Sequence, residues 1–252
     1  MDDESSLDFN FWPSFSDMML SLVLILLLVL FVVSAVVSSG TIDNSRVAER
    51  QGRVVEALAR HFHVAAETLN KTTLENDKRQ GRLDLGLAVS EPGKYAVRVR
   101  NEPQLQKISF SDRILFPLGV YELQPSGRSV LRTVGDVLLT QLPSIRGVQI
   151  QGHTDTVPIA NRQRYRSNIE LSALRSIAVT DFLRDSVGID PTRVLMSAAG
   201  FGEFKPVLRS DDDTTYDRTR LSLDNRTQEL RDANRRIELL LIYDDNPSAS
   251  YK

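Results

Sequence analysis

The segment that most restricts how this chain can fold is the apolar run Met18 to Val37, MMLSLVLILLLVLFVVSAVV, near the N-terminus. At about 1.5 Å rise per residue it forms roughly 30 Å of helix, the thickness of a bilayer's hydrocarbon core. One crossing is therefore expected, with the remaining residues outside the lipid. The tail before the run carries Asp2, Asp3, Glu4 and Asp8 and no Lys or Arg. A cleaved signal wants a basic start and an apolar core of about 7–15 residues, so the run reads as an uncleaved anchor. Ser34, Ala35, Ser38 and Ser39 are nevertheless small enough to look like a cleavage site. Arg46, Arg50 and Arg53 follow the run, and the positive-inside tendency would place them in the cytoplasm.

Asp17 sits at the mouth of this run. Desolvating a carboxylate costs several kcal/mol unless it takes a proton or a cation, which makes an ionisable group at a span a functional candidate. Ser16 and Ser21 flank it and can hydrate an ion or bond the neutral acid. The plainer alternative is that Ser14, Ser16 and Asp17 cap the start of a helix.

The rest of the chain has the composition of an ordinary globular domain. Among 252 residues, Lys+Arg 31 against Asp+Glu 33 leaves a net charge of -2, which gives no footprint for nucleic-acid binding. The absence of Cys excludes disulfides, thiolate metal sites and a lipid-modified cysteine anchor. His61, His63 and His153 are scattered and are expected on exposed helical faces, with no metal site and no cofactor.

Patterning then divides the chain. Ser38 to Asn44 is a small polar exit, and Val47 to Leu69 places Val54, Leu58, Phe62, Ala65 and Leu69 at helical spacing, an amphipathic connector. Lys71 to Arg82 reads as a polar spacer, after which Tyr95, Val97 and Val99 alternate with Arg98 and Arg100 as a strand. Ile108 to Phe116 reads as another strand, Val130 to Leu142 as a helix stopped by Pro143, and Val148 to Gly152 as a short strand. Ser172 to Leu183 is a further helix, and Val194 to Ala198 and Arg236 to Tyr243 are further strands. Arg209 to Asp232, with Asp211, Asp212 and Asp213, reads as a charged loop leading into helix.

Several motifs recur in a known order: Ser109-Phe110…Phe116, Gly152-His-Thr-Asp155, Ser167-Asn-x-Glu-Leu-Ser-Ala-x-Arg175, Ala199-Gly-Phe-Gly202…Pro206 and Asn234-Arg-Arg-Ile237. Together they resemble the OmpA-like peptidoglycan-binding domain, and Tyr165 to Arg175 is most similar to the version in MotB, the B subunit of flagellar stators. Trp12-Pro-Ser-Phe-Ser-Asp17 sits where MotB-type proteins carry an aromatic-small-Asp sequence at their single span. Flagellar versions usually follow that Asp with small and Thr-like residues, where this chain has Met18-Met19-Leu20-Ser21.

The resemblance implies an α+β fold, a single N-terminal transmembrane helix followed by an OmpA-like β/α sandwich. Residues 1–13 would be a cytoplasmic tail, 14–38 the span, 39–104 a periplasmic connector, 105–245 the peptidoglycan-binding domain and 246–252 a tail. It implies no enzyme activity but an ion-driven motor, in which proton or sodium passes Asp17. The implied partners are the peptidoglycan wall, a second copy of the chain, and a five-subunit ring of a MotA-like multi-span protein in the bacterial inner membrane. Flagellar motility and Zorya-type antiphage defence both use such subunits, and a passive OmpA-like wall anchor is the alternative.

Peptidoglycan stems can carry diaminopimelate, whose free end sets an ammonium beside a carboxylate. A reader of that end needs an anion and a cation close together. By resemblance, Asp155 takes the ammonium and Arg175 the carboxylate through its planar fork. Asn168, Leu171 and Arg236 are implied nearby, while Asn234 and Arg235 are expected to orient the last strand.

Overall fold

The computed structural model describes residues 12–62, 84–88, 95–102, 105–160, 163–210 and 213–243. The expected spacer at Lys71 to Arg82, His63, Ala65, Leu69 and the two terminal tails lie outside these residues. The first helix, α1, runs Trp12–His61, so the small polar exit Ser38 to Asn44 is helical. The chain divides into two compact units at Ser45/Arg46. In the first, Phe15–Ser34 is long and apolar enough to cross a membrane, with mean hydropathy 2.7. Its side chains from Met18 to Val33 are exposed all round, the pattern of a helix whose partners are lipid or other chains.

The second unit is built on a mixed sheet. Its strands are β1 (Asp84–Ala88), β2 (Tyr95–Glu102), β3 (Leu105–Ser111), β4 (Ile145–His153), β5 (Leu195–Gly202) and β6 (Arg236–Tyr243), in the order β1-β2-β3-β6-β4-β5. Only β4 and β5 pair in parallel among the described strands, and the long crossover between them carries a helix, as parallel pairing requires. The short helix α2 (Asp112–Leu115) follows β3 directly, so the expected strand to Phe116 stops at Ser111. Helix α3 (Pro125–Gln141) starts on Pro125, whose missing N–H is harmless in a first turn. Helix α4 (Asn168–Asp181) is capped by Ser167, whose hydroxyl accepts from Glu170 N, and continues as a π-helical turn over Phe182–Val187. Within the charged insertion lie α5 (Arg218–Leu223) and α6 (Gln228–Asn234).

The hydrophobic core joins these layers. Ile108, Phe110, Leu131, Val134, Leu138, Ile150, Leu183, Leu239 and Leu241 are buried in one cluster, and so are Val54, Val55 and Leu58 of α1. The amphipathic stripe of α1 is thus a core element. Gln51 Nε2 donates to the carbonyls of Glu102 (2.8 Å) and Leu105 (3.1 Å), and Gln106 Nε2 returns a bond to Gln51 O (3.1 Å). Together with β2, these contacts make Arg46 onward, the connector's helix and strands included, part of one compact unit with the 105–245 segment. The physical reason is area: a helix with a buried stripe and a strand beside β3 both need the same core to cover them.

Candidate functional site

Two glycines decide where α4 lies. A Cβ on Gly152, at the end of β4, would stand 2.1 Å from Ser172 O, and one on Gly200 in β5 would stand 2.5 Å from Ala173 N. The helix backbone therefore rests directly on the two parallel strands. Ser172 locks the contact: its hydroxyl donates to Ile169 O (2.8 Å) and accepts from Gly202 N (2.9 Å). Arg175 follows one turn later and is carried to the end of the sheet where β4 runs out into Thr154 and Asp155. The Gly-His-Thr-Asp, Glu-Leu-Ser-Ala and Ala-Gly-Phe-Gly motifs are, in this sense, three sides of one joint.

Around that joint lies a cluster of two buried carboxylates, Asp112 and Asp155, the buried Arg175 and the partly buried Arg235. Arg175 is 2% exposed; its Nε donates to Val120 O (2.9 Å), its Nη1 pairs with Asp112 Oδ1 (2.9 Å), and its guanidinium lies 5.1 Å from the Phe116 ring centroid. Asp155 is 4% exposed, accepts from Val157 N (3.0 Å) and pairs with Arg235, which also holds Asp232. Asn168, the first residue of α4, donates through Nδ2 to the carbonyls of Asp155 and Val157 (both 3.2 Å), tying the loop to the helix. Leu171 is buried beside it on α4. Burial pushes the Asp112 carboxyl up to about 6 although Arg175 and Arg235 oppose the shift. Burial likewise lowers the Arg175 guanidinium, an effect offset mainly by Asp112.

Two hydroxyls at this end are buried without a hydrogen-bond partner among the described residues: Thr154 Oγ1, beside Asp155, and Tyr165 Oη, which interacts electrostatically with Arg175. Tyr165 packs edge-on against Tyr121, with ring centroids 6.2 Å apart. Unpaired polar groups of this kind are expensive unless something else completes them.

The two arginines of Asn-Arg-Arg exchange the places expected for them. Arg236 lies in register with His153 across β4–β6, and its Nε binds Glu238 Oε1 (2.7 Å), so it serves a second buried pair. Arg235, expected to orient the strand, reaches Asp155 instead. Arg235 closes the end of α6, before the strand begins, whereas Arg236 is the first residue of β6. Asn234 organises the approach to β6: it accepts from Val207 N (2.8 Å) and donates to Asp224 O and Asn225 Oδ1 (both 2.9 Å). His153 is corrected too. It is a fully buried strand residue, stacked on Phe201 at 5.3 Å, and burial reinforced by Arg236 lowers it to about 4. Glu238 is desolvated, which alone would raise it, yet Arg236 holds it well below the usual carboxylate range.

In the N-terminal unit, Ser16, Asp17 and Ser21 are exposed residues of α1. The helix has already begun at Trp12, so Ser14, Ser16 and Asp17 lie inside it and none is an N-cap. Asp17 and Ser21 are four apart and share one face.

Comparison with known proteins gives relatives of this fold. Residues 115–220 match the OmpA family. Motility protein B of Bacillus subtilis (strain 168) is 30% identical over 135 residues, which is 54% of this chain and 44% of that protein. Motility protein B of Escherichia coli (strain K12) is 30% identical over 171 residues, 65% of this chain and 54% of its own length. The chain thus spans about half the length of the curated relatives it matches. A crystal structure of the periplasmic domain of MotB shares the fold with TM-score 0.50 and 16% identity, covering 72% of this chain and 86% of that one.

Proposed function

From a chain that carries a MotB-type, OmpA-like domain behind one apolar helix, we propose a peptidoglycan-anchored B subunit of an ion-driven motor. The observation that carries the reading is that one end of the sheet brings together a buried anion, Asp155, and a buried fork-shaped cation, Arg175, each held by a different partner, beside two uncompleted hydroxyls. A stem-peptide end with an ammonium next to a carboxylate meets both charges there. The domain stands in the periplasm, the span crosses the inner membrane, and Asp17 takes up and releases a proton or sodium as the ion moves down its gradient. No covalent chemistry is needed. Two copies of the chain within a ring of five MotA-like subunits give the motor its fixed part. Interior placement of Asp17 in α1, away from any cap position, supports the ion-carrying role over a structural one.

The test is retention of the full chain by purified wall sacculi. Because Asp155 and Arg175 are buried and internally paired, Asp155→Asn and Arg175→Lys are the informative variants. Each is expected to lose roughly 1.5–3 kcal/mol of binding, the worth of a charge-assisted hydrogen bond, while circular dichroism stays native. The double variant should lose less than the sum, since the two residues hold opposite ends of one zwitterion. Unchanged retention in both single variants would place the wall site elsewhere.

A further inference from the structure

Both charges that the wall reading needs are already occupied from within. Arg235 sits on Asp155 where a ligand ammonium would go, and Asp112 sits on Arg175 where a ligand carboxylate would go. Resting on that reading, we infer that Arg235 and Asp112 are internal stand-ins for the ligand's two charges, and that the zwitterion binds by exchanging partners with them. The arrangement keeps each buried charge compensated while the site is empty, as burial demands. It also sets a threshold: a ligand with a single charge replaces one stand-in and leaves the other in place, whereas a zwitterion replaces both. Displaced Arg235 still has Asp232, to which it is bound in the closed state. Displaced Asp112 has no second ion pair among the described residues. The charged groups around it are Arg175 of α4, Arg235 before β6, Asp155 after β4 and its own neighbour Arg113, whose guanidinium is held by Asp232 at 2.8 Å.

Asp112 therefore leaves its pair most easily as the neutral acid. The group already titrates near 6, and a ligand carboxylate arriving at Arg175 raises it further by repulsion. Binding then takes up a proton, and affinity rises as pH falls. Thr154 Oγ1 and Tyr165 Oη, buried and unpartnered, are the groups that the exchanged ligand would complete, with Tyr165 next to Arg175 on the carboxylate side.

The inference predicts substitutions that tighten binding. With free diaminopimelate as probe, titrated calorimetrically into the full chain in detergent, Asp112→Asn and Arg235→Gln should each raise affinity by at least about threefold, because a competing charge has gone. Wild-type affinity should rise severalfold from pH 7.5 to 5.5, and Asp112→Asn should flatten that slope. Circular dichroism checks the fold of each variant, and the wild-type pH profile tests the exchange even where a variant fails to fold. Wild type that binds the probe with no pH slope, or folded variants that bind no more tightly, would overturn the exchange and leave the wall reading standing. Failure of wild type and of both folded variants to bind diaminopimelate at all would overturn the wall reading and the exchange together.

Discussion

Among the described glycines, Gly152 leaves the least room for a methyl group. The new Cβ would lie 2.1 Å from Ser172 O and 2.8 Å from Ser172 C, both backbone atoms that cannot rotate away. An ordinary carbon–oxygen contact is about 3.3 Å or more, so α4 has to retreat from β4 by roughly 1.2 Å. That movement stretches the 2.9 Å bond from Gly202 N to Ser172 Oγ past hydrogen-bond range, worth about 1 kcal/mol. It also opens the packing of Leu171, Arg175 and Val179, adding about 2–3 kcal/mol in the manner of other overpacked cores. A total near 3–4 kcal/mol lowers the thermal midpoint of a domain of this size by about 10 °C. Gly52→Ala is the matched control. Nothing lies within 4 Å of its Cβ and the residue is helical, so the same substitution should stabilise by roughly 0.5–1 kcal/mol. Thermal unfolding of both variants, followed by near-ultraviolet circular dichroism, makes the comparison. A Gly152→Ala midpoint within about 2 °C of wild type would refute the claim that this glycine exists to let the helix touch the strand.

The pH dependence of stability should show two opposing slopes. Asp112, raised from 3.8 to about 6, binds more protons folded than unfolded, so its contribution weakens stability by about 3 kcal/mol as pH rises from 4 to 6. His153, lowered from 6.5 to about 4, binds fewer, so its contribution weakens stability by about 3 kcal/mol as pH falls from 6.5 to 4. Denaturant titrations should therefore show His153→Phe becoming more stable on acidification and Asp112→Asn less stable; equal slopes in the two variants would sink the assignment. Asp17→Asn keeps the side-chain shape and removes the carboxylate, so it should abolish ion-dependent function while insertion and sacculus binding persist. Full activity in that variant would favour a passive wall anchor. A reporter fused after Lys252 should be active in the periplasm despite Arg46, Arg50 and Arg53, and cytoplasmic activity alone would reverse the topology.

Local pattern was enough for some of this molecule. A run of apolar residues has to be a helix in lipid because every backbone group must bond within its own segment, so Met18 to Val37 declared itself. Period-two alternation marked Tyr95 to Arg100, and Arg236 to Tyr243 was legible as a short apolar run rich in β-formers. The ordered motifs carried the OmpA-like domain, and they did so because glycine at 152 and 200 and serine at 172 answer a distance between backbones rather than a local preference. Tertiary structure decided what lies between segments. That α1 beyond Ser45 belongs to the core depends on which surfaces meet, as does the pairing of Asp112 with Arg175, residues 63 apart in sequence. The choice between Arg235 and Arg236 turned on where α6 gives way to β6, which sends one guanidinium to Asp155 and the other to Glu238. Whether a charge sits on the surface or is buried against a partner is a property of the closed fold, because only there does desolvation make one specific partner worth having.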